Sequence, residues 1–71
     1  MNKQLTYYID LICEKIDVHA DVFVKRIEAL KQGDVERVDF IEKMMLEPLS
    51  EQITYLAKRA SASIEKRRQN G

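Results

Sequence analysis

The stretch Lys31-Gln32-Gly33-Asp34 contains the only glycine of the 71-residue chain apart from the C-terminal one. Glycine suits the left-handed C′ position that ends a helix, and aspartate suits the N-cap position that begins the next. Lys31 before the glycine and Glu36 after it carry charges of the sign that complements the dipoles of the two helices. The stretch therefore predicts that one helix ends here and another begins immediately.

Apolar residues on both sides of this stretch recur at intervals of three and four, which is the period of one helical face. We expect helices from about residue 2 to 31 and from about 34 to 68. Two helices of similar length joined by a tight turn form an antiparallel hairpin, so the predicted fold class is all-α. The predicted inward stripes are Leu5, Ile9, Ile12, Ile16, Ala20, Phe23, Ile27 and Leu30 on the first helix, and Val38, Ile41, Met45, Leu49, Ile53, Leu56, Ala60 and Ile64 on the second.

Pro48 interrupts the second predicted helix. A proline inside a helix removes one backbone hydrogen bond and crowds the preceding turn, so the helix either kinks there or breaks and restarts with Pro48 in its first turn. Because the apolar spacing continues through Pro48, we expect one helix that is kinked near this residue. A break would instead give a three-helix bundle. In both cases residues 1–71 form a single helical domain with a frayed basic tail at about 66–71.

Composition argues against several classes of protein. Twelve basic and twelve acidic side chains cancel, so the chain has no overall attraction for nucleic acid or for an anionic membrane. No apolar run approaches the roughly 20 residues that span a bilayer, and the N-terminal residues lack the apolar core of a signal peptide. A lone cysteine, Cys13, fits a reducing compartment. We therefore expect a cytoplasmic protein that makes no membrane contact.

No arrangement of reactive side chains predicts catalysis. Cys13 has no Cys–His–acid pattern around it, and His19 is the only histidine, with no second metal ligand nearby in sequence. Phosphate-binding loops need more glycines than this chain contains. The acidic residues along the first helix are typical of a solvated face: Asp10, Glu14, Asp17, Asp21 and Glu28. We expect no catalytic residue, no cofactor and no metal ion.

Further apolar residues fall away from the two inward stripes. A hairpin needs one apolar seam on each helix, so surplus apolar residues indicate an interface. We expect two hairpins to pair into a dimeric four-helix bundle; a compact monomer, or a face kept for a different protein, is the alternative. The residues predicted to form this partner or self-association face are Tyr7, Leu11, Val18, Val22, Phe40, Met44 and Tyr55.

These features predict a non-catalytic protein-interaction module, a homo-oligomeric hairpin that binds and modulates a larger protein partner. The alternative function is a nucleic-acid-binding regulator, because residues 53–71 contain five basic side chains and one acidic one. Residues 34–52 contain six acidic and two basic side chains, so an antiparallel dimer would place opposite charges side by side. The candidate phosphate contacts are Lys58, Arg59, Lys66, Arg67 and Arg68.

Overall fold

The computed structural model describes residues 3–70, with side chains described for residues 3–66. Every secondary-structure element in this part of the chain is helical: α1 (Lys3–Lys31), α2 (Val35–Ile41), a π-helical turn (Glu42–Leu46) and α3 (Glu47–Asn70). The last three follow one another without a break and form the second helix of a hairpin, which contacts α1 along its length. The extents of 55 × 16 × 12 Å fit two helices lying side by side. The predicted all-helical hairpin is confirmed.

The turn between α1 and α2 has the geometry that its sequence predicts. Gly33 adopts a φ of 70°, in the left-handed region that favours glycine. Its N–H donates to the carbonyl of Leu30 at 3.0 Å, and the N–H of Asp34 donates to the carbonyl of Ala29 at 3.0 Å, which is the Schellman pattern of helix ends. The Asp34 carboxylate accepts a hydrogen bond from the N–H of Arg37 at 3.1 Å and so caps α2.

The second helix continues through Pro48 without a break, so the three-helix alternative is wrong. The irregularity lies just before the proline, in the π-helical turn, where the N–H of Glu47 bonds to the carbonyl of Glu42 five residues earlier. Proline has no N–H, and its ring crowds the carbonyl four residues earlier, here that of Met44. A wider turn relieves this crowding. The helix ends at Asn70 rather than near residue 68, and the predicted frayed tail at 66–71 falls largely outside the described side chains.

The first helix turns a different face inward from the predicted one. Of the predicted stripe on α1, only Leu5 and Ile12 are half-buried, and the other six residues are exposed. The inward row, here called the inner seam, lies one residue earlier along the chain, about 100° around the helix. Each of its members is buried or half-buried: Tyr8, Ile12, Lys15, His19, Val22, Arg26 and Ala29.

Contacts near the turn explain why this row faces inward. Ala29, which is only 2% exposed, is small enough to let the two helices approach closely beside the turn. Arg26 lies about one helical turn before Ala29 and forms an ion pair with Glu42 of the second helix. Its Nε and Nη2 atoms are 2.6 and 2.5 Å from Oε1 of Glu42. Val22 is 5% exposed and belongs to the core, so it cannot be part of the predicted partner face.

The apolar core is small and lies in the half of the hairpin next to the turn. Half-buried Met45 and Leu49 pack against its buried residues. In the other half of the hairpin, Ala60 is the only buried residue among those described. In this half, which contains the two ends of the chain, the packing of the two helices therefore relies on half-buried side chains. The buried core cluster consists of Val22, Ala29, Val38, Ile41 and Leu46.

Val22 and Val18 form a matched pair that tests which face of α1 packs inward. We expect Val22→Ala to lower the free energy of unfolding by about 2 kcal/mol, because it removes buried methyl groups and leaves a cavity. Val18 is 47% exposed, so Val18→Ala should change the free energy of unfolding by less than about 0.5 kcal/mol. Urea unfolding at one fixed protein concentration measures both values. Equal effects would contradict the assignment of the inner seam.

Candidate protein-interaction surface

A continuous row of apolar side chains lies exposed along α1, and we call it the outer seam. Its larger side chains are between 39% and 51% exposed, and Cys13 is exposed as well. Contiguous exposed apolar patches often mark interaction surfaces, which makes this row a candidate site. The outer seam consists of Ile9, Cys13, Ile16, Ala20, Phe23, Ile27 and Leu30.

The outer seam stays exposed because a more polar row occupies the interface with the second helix. Lys15, His19 and Arg26 all belong to the inner seam. Lysine and arginine can cover apolar surface with their methylene chains while their charged ends reach water or a partner. In the described part of the chain, no buried side-chain nitrogen or oxygen lacks a hydrogen-bond partner. The inner seam therefore holds no buried polar atom without a partner, whereas the larger apolar side chains of the outer seam keep 39–51% of their surface exposed.

Phe23, near the middle of the outer seam, is held in place by two inner-seam side chains. The ring of His19 stacks on it with centroids 6.3 Å apart and an interplanar angle of 19°. The Arg26 guanidinium lies 5.7 Å from the centroid of the Phe23 ring, within cation–π range. Since Arg26 also pairs with Glu42, the packing of the two helices and the orientation of this exposed ring are linked.

Of the residues predicted to form the partner face, Val22 is in the core and the others are exposed or line a groove. Leu11 and Tyr55 line an open groove of about 520 Å³ between the helices. Tyr7 and Val18 are exposed on α1, on the same side of that helix as Leu11 because their spacing follows the helical period. Two more exposed residues lie on the second helix, Phe40 and Met44. With Val22 in the core, these six residues keep their partner role as a prediction.

The outer seam was missed as a site because six of its seven residues, all except Cys13, were assigned to the predicted inward stripe. One signal in the sequence distinguishes it from the inner seam: its members, spaced alternately four and three residues apart from Ile9 to Leu30, are all apolar. This is the heptad spacing of helices that pack along their whole length. The inner seam has the same spacing but contains four side chains with charged or titratable groups: Tyr8, Lys15, His19 and Arg26.

Basic side chains gather at the open end of the hairpin, near the chain termini. The Arg59 guanidinium donates a hydrogen bond to the Tyr8 hydroxyl at 3.5 Å and lies 6.0 Å from the centroid of its ring. The Tyr8 hydrogen bond raises the pKa of Arg59 above its ordinary value. Lys66 lines the same shallow recess as Tyr8 and Arg59, whereas Lys58 lines a different one. The side chains of the remaining candidates, 67 and 68, lie outside the described part of the chain.

Metal-binding groups, membrane-spanning helices and similarity to known proteins give no further indication of the function. Among the described residues, no group of three or more His, Cys, Asp or Glu side chains could hold a metal ion. None of the described helices combines the length and apolar character needed to cross a membrane. Comparisons with protein families, with curated proteins and with solved structures find no match to this chain.

Proposed function

We propose that this protein is a non-catalytic interaction module, a homodimeric helical hairpin that pairs into a four-helix bundle and binds and modulates a larger protein partner. The observation that carries the proposal is the outer seam of α1, a heptad-spaced apolar row that the hairpin itself leaves uncovered. Helices with such rows associate along their length and exclude water from the shared face.

The accessible surface of the hairpin is large for its mass. It amounts to 5710 Å², whereas a folded monomer of 8.3 kDa exposes about 4,600 Å². The excess of roughly 1,100 Å² exceeds the ~800 Å² that each partner buries in an interface of standard size. Fully burying one Ile, Leu or Phe side chain contributes about 1.5–3 kcal/mol, and these side chains are already partly covered. Five of them along one helix still supply a substantial driving force for association.

The larger partner would bind elsewhere on the hairpin. Val18 lies roughly opposite the outer seam on α1, and Phe40, Met44 and Tyr55 are 59–66% exposed on the second helix. A dimer built on the outer seam leaves these four side chains at the outside of the bundle. Single exposed apolar residues are common, but four large ones on a chain of this size favour a second contact surface.

Ile16 and Val18 provide a matched test of self-association, because both are exposed and they lie two residues apart. Ile16→Glu would bury an unpaired carboxylate in the dimer interface, so we expect dimer affinity to fall by at least about 100-fold, or roughly 3 kcal/mol. Val18→Glu should leave the affinity within about threefold of wild type, since it adds a charge on the solvated side. Sedimentation equilibrium of the three proteins measures the dissociation constants. Equal affinities for all three would contradict the role of the outer seam.

Phe40→Glu tests the binding of a larger partner separately from self-association. We expect the variant to keep the dimeric mass of the wild type but to lose the partner. Tagged wild type, Phe40→Glu and Val18→Glu are used to capture proteins from cells, and mass spectrometry compares what each retains. A protein retained by the wild type and lost with either variant supports the second surface. Identical retention by all three proteins argues against it.

The basic open end supports a second candidate function, the binding of nucleic acid. Its specific observation is that Tyr8, Arg59 and Lys66 line one recess, which combines an aromatic ring with two cations. This candidate predicts that a DNA or RNA duplex shifts in a gel at about 50 mM salt and that the shift weakens steeply by about 200 mM. The double variant Lys58→Glu, Lys66→Glu should abolish the shift. Absence of any shift with the wild type removes this candidate.

A further inference from the structure

We infer that the outer seam is covered by the α1 helix of a second copy of this chain, running antiparallel, so that the two turns lie at opposite ends of the bundle. This inference rests on the proposed function and adds which helix meets which and in what direction. Three features of the hairpin lead to it: the order of large and small residues along the outer seam, the distribution of charge on the second helix, and the small residues beside the seam.

The order of side chains along the outer seam favours the antiparallel direction. We consider an antiparallel pairing of the two outer seams whose midpoint along the helix axis is at the level of residue 18. It places Cys13 opposite Phe23 of the second copy, and Ile16 opposite Ala20 of the second copy. Ile9 then meets Ile27 of the second copy. Small residues face large ones in two of these three layers, which keeps the distance between the helices even. Parallel pairing would stack Phe23 on Phe23 and Ala20 on Ala20, giving one overfilled layer and one underfilled layer.

Charge on the second helix favours the same direction. Residues 34–52 carry six acidic and two basic side chains, a formal charge of −4, and residues 53–71 carry one acidic and five basic side chains, a formal charge of +4. Residues 1–31 carry five of each sign and are neutral overall. When α1 pairs with α1 antiparallel, the two second helices also lie antiparallel. The acidic half of each is then beside the basic half of the other, which is electrostatically favourable.

Small residues on α3 allow the second helices to approach each other. Pro48, Gln52 and Tyr55 line the groove beside Leu11, on the edge of the hairpin away from the outer seam. The helical period places Ser50, Ala57 and Ser61 on the opposite edge, beside the seam. All three are exposed and small, so they offer little obstruction to a neighbouring helix. These three positions of α3 can therefore extend the interface formed by the outer seam.

The only cysteine of the chain makes the direction measurable by disulfide formation. In the antiparallel dimer, Cys13 lies about 15 Å along the axis from Cys13 of the second copy, too far for the ~4.4–6.8 Å Cα separation of a disulfide. With copper–phenanthroline as oxidant, we expect little cross-linking of the wild type. Phe23→Cys, which keeps Cys13, should cross-link efficiently, because residues 13 and 23 face each other. Phe23→Cys combined with Cys13→Ser should not.

A distance measurement covers the case in which Phe23→Cys weakens the dimer. A nitroxide label at Lys31→Cys in a Cys13→Ser background lies at the exposed end of α1, one residue beyond the seam. Pulsed electron resonance should give a separation near 40 Å in the antiparallel dimer, against under about 25 Å when the two α1 helices run parallel.

The outcomes separate this inference from the proposed function. A dimeric mass with strong Cys13–Cys13 cross-linking in the wild type, or with the short label distance, overturns the antiparallel direction and leaves self-association standing. A mass of one chain at every concentration overturns self-association itself. A dimer with cross-linking of Phe23→Cys alone, or with the long label distance, supports the inference.

Discussion

The structure depends on a single geometric constraint, the step of about 100° between consecutive residues of a helix. Because of it, α1 carries two regular rows that are one residue apart in sequence but lie on different faces. A hairpin has one second helix and can cover only one of them. The row containing Lys15, His19 and Arg26 is the one it covers. The more apolar row is left on the surface, where its exposure to water favours association with another helix.

The two seams have different chemical roles in this account. Polar contacts at both ends of the inner seam fix how the helices align: Arg26 with Glu42 in the half near the turn, and Tyr8 with Arg59 near the termini. Such contacts add little stability when they are partly exposed, but they disfavour other alignments. The outer seam has no polar partner to satisfy and offers non-directional apolar burial. Contacts of the inner seam thus align the two helices of the hairpin, whereas burial of the outer seam would stabilise its association with a second copy.

Local signals in the sequence were sufficient for most of the fold. Gly33 and Asp34 specify the turn through backbone conformation and capping, which depend on near neighbours alone. The inward stripe of the second helix was also predicted well, apart from Ile64, which is exposed, and Leu46, which is buried but was not predicted to be. The inward face of α1 was not, because apolar periodicity identifies the most apolar row and cannot tell an intramolecular contact from an intermolecular one. The π-helical turn was missed too, since the crowding by Pro48 can be relieved by a kink, a break or a wider turn.

The central claim is that the outer seam of α1 is covered by a second copy in solution. The most direct test is the mass of the wild-type protein by light scattering after size exclusion, over a wide range of concentrations. We expect twice the 8.3 kDa of one chain at high concentration, with dissociation on dilution. A mass of one chain throughout would contradict the claim, because the outer seam would then remain exposed to water.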